Sequence, residues 1–145
     1  MSYLLDTNVV SELRKGSPDA NVEAWYDSVP GSELFLSVLT IGEIRMGVER
    51  MRRKNPAKAA SLENWLTRLE TAYGDHIVPV DSAIADTWAR LSVPDPLPVI
   101  DGLLAATAYD RGWTLVTRNT KDVRRAGVRV LNPFKEAGSL PAKPD

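Results

Sequence analysis

The spacing of the short aliphatic runs restricts the fold more than any other feature of this sequence. Tyr3-Leu4-Leu5, Leu34-Phe35-Leu36, Ile77–Val80, Thr114–Val116 and Arg129–Leu131 are β-prone, and long stretches of helical period lie between most of them. Strands separated by helices cannot be joined by tight hairpins; they pair in parallel through crossovers. The expected fold class is therefore α/β: a single domain with a mainly parallel five-stranded sheet flanked by helices. The expected helices run from about Asn8 to Arg14, from Ser17-Pro18 through Tyr26, and from Val38 to about Lys54. Others start near Pro56 and at Asp81-Ser82, run from Val99 to Arg111, and end at Ala126-Gly127. Apolar faces follow the helical period, with Ile41, Ile44, Val48 and Met51 on the third helix and Leu62, Trp65, Leu66 and Leu69 on the fourth. Pro94, Pro96 and Pro98 make the segment before Val99 a rigid connector, and Gly112 is placed to cap the helix that follows. Residues 1–132 form the expected domain and 133–145 a loosely held tail.

The residue inventory narrows the chemistry. Among 145 residues, ample for one core, there is no cysteine and a single histidine, His76. Thiolate metal sites, thiol nucleophiles, two-histidine acid–base pairs and His-rich zinc sites are excluded. Carboxylates, hydroxyls, amides, Lys and Arg must carry whatever chemistry there is. No apolar run approaches the roughly 20 residues that span a membrane. The opening residues include Asp6 and Glu12 and lack a basic, cleavable leader, so no signal peptide and a cytoplasmic location are expected. The net charge of −1 advertises no polyanion partner, which leaves local basic patches as the place to look.

Ligands of open parallel sheets bind beyond the carboxyl ends of the strands, and several acids fall there. Asp6 directly follows the first strand; it reads equally as the N-cap of the next helix. Asp81 also follows a strand but opens a plain helix, and is a cap. Glu43 lies within the third helix beside Gly42 and Gly47, whose cost in a helix interior suggests that something approaches that flank closely; a solvated glutamate is the alternative. Asp101 sits in the first turn of a helix, where the dipole favours an acid, yet on an apolar, small-residue flank with Leu104, Ala105 and Ala108. Thr117-Arg118-Asn119-Thr120-Lys121-Asp122 follows the fourth strand and offers hydroxyls, an amide and a carboxylate, or simply a turn and helix cap. If these acids converge, like charges about 4 Å apart repel by about 4 kcal/mol at an effective dielectric of 20, and a hard divalent cation relieves that repulsion.

Four stretches, Leu5-Asp6-Thr7-Asn8-Val9-Val10-Ser11-Glu12, Thr40-Ile41-Gly42-Glu43-Ile44-Arg45-Met46-Gly47, Asp101 to Ala108, and Leu115 to Val123, resemble in order the motifs of the PIN domain. More closely they resemble the VapC toxins of toxin–antitoxin pairs, including the FitB-type branch. The resemblance implies a Mg²⁺-dependent endoribonuclease, with Mn²⁺ as a substitute. Asp6, Glu43 and Asp101 would be its core metal-binding acids and Asp122 the fourth, more variable one. Asn8, Thr117 and Asn119 match positions that support the site by hydrogen bonding. It further implies a water nucleophile that leaves 5′-phosphate and 3′-hydroxyl ends. The implied partners are a cognate antitoxin whose C-terminal segment crosses the active-site groove, a second copy of the chain, and a larger toxin–antitoxin assembly.

An acidic centre needs flanking cations to take RNA. One basic run, Arg45 to Lys58, surrounds the end of the Glu43 helix; a second includes Arg118, Lys121, Arg124, Arg125 and Arg129. Arg118 and Lys121 lie beside the expected site and are the candidates for phosphate contact. The four tryptophans are expected in the core, and His76 has no role. Val48, Met51, Leu62 and Trp65 are candidates for a dimer surface, though core burial explains them as well. Two other readings compete: a phospho-receiver-like α/β module, which wants a lysine at a strand tip where this chain has Thr117-Arg118, and a groove that binds without catalysis.

Overall fold

A computed structural model describes residues 1–135. The five strands are β1 (Tyr3–Leu5), β2 (Leu34–Ser37), β3 (Ile77–Val78), β4 (Thr114–Val116) and β5 (Val130–Leu131). All pair in parallel, in the order β3-β2-β1-β4-β5. The seven α-helices are α1 (Thr7–Arg14), α2 (Ala20–Ser28), α3 (Val38–Lys54), α4 (Pro56–Tyr73), α5 (Ser82–Leu91), α6 (Val99–Arg111) and α7 (Thr120–Arg125).

Both faces of the sheet are covered, which is why its strands read as unbroken apolar runs. Alternation along each strand sorts the side chains into two cores. Leu5, Leu36 and Val116 meet Val9, Val10, Val22, Ile44, Val48 and Leu66 from α1 to α4. Leu4 and Leu115 point the other way, onto Leu104, Ala105 and Ala108 of α6 and Val123 of α7. Leu4, Leu5, Leu104 and Leu115 are all essentially inaccessible to water, each contributing about 2 kcal/mol relative to an exposed side chain. The chain thus leaves β1 across one face and returns to β4 across the other. Where the connections diverge, a crevice opens beyond the carboxyl ends of β1 and β4. The phospho-receiver reading requires the order 2-1-3-4-5, so the observed order overturns it.

Several boundaries differ from expectation for local reasons. Helix α2 begins after Pro18, because the Asp19 carboxylate accepts from the amides of Asn21 (2.9 Å) and Val22 (3.2 Å) and caps it there. Strand β3 stops at Val78, since Pro79 has no N–H to give the ladder. Asp81 caps α5 through the Ile84 amide at 2.9 Å. Gly112, at φ 70°, ends α6 in the left-handed conformation, and the Trp113 amide reaches back to the Ala108 carbonyl at 2.8 Å. A Cβ on Gly47 would meet Leu62 at 4.0 Å, an ordinary packing distance, and Gly42 faces open space, so neither glycine is required by a close approach. Val48 is wholly buried and so offers no surface; Leu62 and Trp65 pack on the core beside it but, like Met51, remain partly exposed. None of the described helices is long and apolar enough to cross a membrane. Of the expected tail, Pro133 is buried and Phe134 packs on the first core; the stretch 136–145 lies outside the described residues.

Candidate functional site

Asp6 occupies the crevice. Its amide continues the β1–β4 ladder by donating to the Val116 carbonyl (2.9 Å), and its side chain then turns inward as the N-cap of α1. One carboxylate oxygen accepts from the Thr7 amide at 2.7 Å. The other accepts from the Thr117 hydroxyl at 2.7 Å and from Asn8 Nδ2 at 3.3 Å. Capping and site are therefore one arrangement: the cap fixes the carboxylate where the two central strands end. The residue is only 8% exposed. Burial raises its carboxyl above the ordinary value of 3.8, against the Thr117 and Thr7 hydrogen bonds, and the Asp101 and Glu43 carboxylates push the same way.

Thr117, at the tip of β4, is buried and joins the loop to α1. Its hydroxyl oxygen accepts from the Asn119 amide at 3.1 Å, and the Asn8 side chain accepts from the Arg118 amide at 3.4 Å. Asn8 and Thr117 thus brace Asp6 directly. Asn119 contributes its main chain to this bracing; it sits at the N-cap of α7 without a side-chain cap bond.

Asp101 stands in the first turn of α6 on a flank of buried Gly102, Ala105 and Ala108. No side chain caps this helix, so Asp101 is not held there by capping. Burial, then the Glu43 charge, raises its carboxyl above the usual range. The backbone is tight here: a Cβ on Gly102 would lie 3.1 Å from the Trp88 ring, which packs α5 against the start of α6.

Glu43, half-buried on α3, accepts a 2.6 Å hydrogen bond from the Thr7 hydroxyl, and that hydroxyl lies 3.2 Å from the Thr40 hydroxyl. Neither threonine stood out as functional in the sequence. The available signal was position: Thr7 follows Asp6 directly, and Thr40 precedes Glu43 by three residues, on the same helix face.

The acids from three separate elements, Asp6, Glu43 and Asp101, are thus mutually repelling neighbours. Asp122 is set apart. It is exposed on α7 and lines, with Asp101, Arg118, Asn119, Lys121 and Lys135, an open cleft of about 370 Å³ adjoining the centre. Among the described residues no three acids or histidines are drawn tight enough to make a ready-built metal cage. The donor set is all oxygen, and its acids bear an electrostatic cost that a divalent cation offsets, so it fits a hard cation that keeps part of its water shell.

The two basic runs behave differently. Arg45 and Arg52 form ion pairs with Glu49 and Glu63 across α3 and α4, so these two cations of the first run are engaged within the protein. Arg118 and Lys121 line the cleft and form no ion pair among the described residues. Arg129 is structural, donating to the Gly112 carbonyl at 2.7 Å. His76 is bound to the Leu34 carbonyl (2.8 Å) and stacked on Phe35, at the start of β2 and so at the opposite edge of the sheet from Asp6.

Comparison with known proteins gives a consistent picture. A family model for the PIN domain matches residues 3–128. The chain is 33% identical over 142 residues to VapC ribonuclease Y4jK of Sinorhizobium fredii, covering 92% of this chain and 99% of that protein. It is 32% identical over 140 residues to toxin FitB of Neisseria gonorrhoeae, with 92% and 99% covered. Its fold is similar to that in the crystal structure of FitAcB from Neisseria gonorrhoeae (TM-score 0.83, 33% identity, 91% of this chain and 98% of that one). It is also similar to a chain of a toxin–antitoxin complex from Klebsiella pneumoniae (TM-score 0.64, 25% identity, 93% and 99% covered).

Proposed function

The chain belongs to the PIN domain family, and from that premise we propose that it is a Mg²⁺-dependent endoribonuclease, the toxin of a VapC-type toxin–antitoxin pair. The observation that carries this reading is the meeting of Asp6, Glu43 and Asp101 at the β1–β4 crevice, two of them held above the usual carboxylate range by burial and by one another.

Asp6, Glu43 and Asp101 would hold the cation, with Asp122 on the adjoining cleft as the candidate fourth acid; Mn²⁺ has the same ligand preferences and would substitute. When bound, Mg²⁺ supplies Lewis acidity, a bound water of lowered pKa and neutralisation of charge at the leaving oxygen. The protein's own groups do the positioning. Thr117 and Asn8 hold the Asp6 carboxylate in place by hydrogen bonds, and Thr7 orients that of Glu43. Arg118 and Lys121, on the cleft rim, take the phosphates on either side of the scissile bond. No side chain acts as a strong base, since His76 is bound at the far edge of the sheet. Attack by water leaves a 5′-phosphate and a 3′-hydroxyl.

Two partners follow from the same reading. A cognate antitoxin covers the cleft, as the resemblance to a toxin–antitoxin complex supports, and the chain pairs with a second copy and assembles further with the antitoxin. The test is cleavage of RNA by the purified, partner-free chain with Mg²⁺, with EDTA, and as Asp6→Asn. Metal-dependent fragments with 5′-phosphate ends, lost in the variant, are expected. A folded, metal-binding chain that cuts no RNA would overturn the nuclease in favour of a groove that only binds.

A further inference from the structure

The residues after β5 lie outside the stretch matched by the family model, yet they build one wall of the cleft. Phe134 is fixed at three points: its ring packs on the first core, its amide donates to Asn132 Oδ1 (3.0 Å), and its carbonyl accepts from Asn21 Nδ2 (2.9 Å). The guanidinium carbon of Arg118 sits 3.7 Å from the centre of that ring. The main chain of Arg118 is held as well, its amide on Asn8 Oδ1 (3.4 Å) and its carbonyl on Asn132 Nδ2 (3.4 Å). Asn132 therefore ties the cation and its aromatic support to each other. The guanidinium is exposed on the cleft rim and meets no carboxylate within ion-pair distance among the described residues.

A long, flexible arginine on a surface loop normally gives up rotamer freedom when it grips an anion. Here the guanidinium lies over a ring held by its packing on the first core, while its N–H groups are left for an outside acceptor. Lys121 and Lys135 line the same cleft, and Asp101 connects it to the carboxylate centre. We propose that Phe134 is a positioning residue: it presets Arg118 to grip the phosphate backbone of the RNA strand where that strand enters or leaves the carboxylate centre. The inference rests on the nuclease reading and adds to it a grip made by the segment after β5.

The experiment is a double-mutant cycle read by binding. Affinity for a fluorescein-labelled oligouridylate is measured against salt concentration, with Asp101→Asn in every variant so that the RNA stays intact. Arg118→Ala weakens binding about tenfold and lowers the salt slope by roughly 0.7, the loss of one single-strand phosphate contact. Phe134→Leu weakens it about threefold, and Phe134→Tyr, which keeps the ring face, restores it. In the Arg118→Ala background Phe134→Leu has no further effect. A Phe134→Leu loss that persists without Arg118 would show a merely structural role and overturn the inference, as would an Arg118→Ala variant with unchanged affinity and slope. Parallel cleavage by chains that keep Asp101 separates the two levels: cutting that survives alongside either of those results leaves the nuclease standing, whereas a chain that neither cuts nor binds RNA removes both.

Discussion

The two halves of the site are built on opposite principles. On the β1 side, three carboxylates from β1–α1, α3 and α6 are gathered at a crevice, Asp6 buried and Glu43 and Asp101 half-buried, each fixed by hydroxyls, amides or a tightly packed helix start. On the β4–β5 side, Arg118, Lys121, Asp122 and Lys135 line an open cleft and are in contact with water. The first region carries strain: charge is held where its own neighbours oppose it. The second carries little, because exposed cations are well solvated. An arrangement that costs stability in the resting chain is set up for something that arrives with opposite charge. An open rim is suited to capture and release. Under the proposed function, the first half would hold the metal and the second the substrate.

The most severe break is Asp101→Asn, which should lower cleavage more than about a thousandfold, the several kcal/mol that a bound metal supplies. The same change should leave metal-free stability equal or higher. A carboxyl whose folded pKa is raised above its unfolded value costs stability above the folded pKa and ceases to do so as pH falls toward the unfolded value of 3.8. Wild-type chain in EDTA should therefore lose stability relative to Asp101→Asn as pH rises through the raised pKa of Asp101, and the gap should close toward acid pH. Urea unfolding of both chains across pH measures this; a variant less stable at neutral pH would mean that Asp101 acts structurally.

Thr7→Val comes next. Removing the hydroxyl that orients Glu43 should cost about 10- to 100-fold in Mg²⁺ affinity or turnover, with Thr7→Ser restoring most of it. Full activity in Thr7→Val would show that Glu43 needs no such brace. Lys121→Ala addresses the other half: KM for RNA should rise a few-fold with kcat nearly unchanged, and the effect should shrink at high salt as exposed charges are screened. A fall in kcat alone would move Lys121 into the chemical half. Smallest is Gly102→Ala, whose Cβ would press on Trp88; helix propensity gives back about 1 kcal/mol of the packing cost, so a net loss of about 1 kcal/mol is expected in thermal unfolding. A stabilised variant would show that Trp88 yields freely.

The fold and the position of Asp6 were legible in short-range signals, whereas Glu43 and Asp101 were singled out by the resemblance of their motifs. Strand–helix alternation forces crossovers, and an acid immediately after a strand is placed by the sheet itself, as with Asp6. The sequence did not show Thr7 and Thr40, whose role depends on α3 lying beside α1, a contact across 36 residues of sequence from Thr7 to Glu43. Nor did it show that Glu63 of α4 pairs with Arg45 and Arg52 of the first basic run, which arises from the α3–α4 hairpin. The short β3 was legible in hindsight from Pro79. Phe134 fell in a segment whose composition suggested a loose tail, and its hydrogen bonds to Asn21 and Asn132 show that it is tied to the body of the domain, under Arg118.

Under the proposed function the carboxylate centre of Asp6, Glu43 and Asp101 would be a divalent-cation site. Thermal unfolding of the partner-free chain and of Asp6→Asn, each titrated with Mg²⁺ and Mn²⁺, tests it without need of a substrate. A saturable rise in wild-type Tm that is absent or strongly weakened in Asp6→Asn is the predicted result. No cation-dependent rise in the wild type, or an equal rise in both chains, would contradict it.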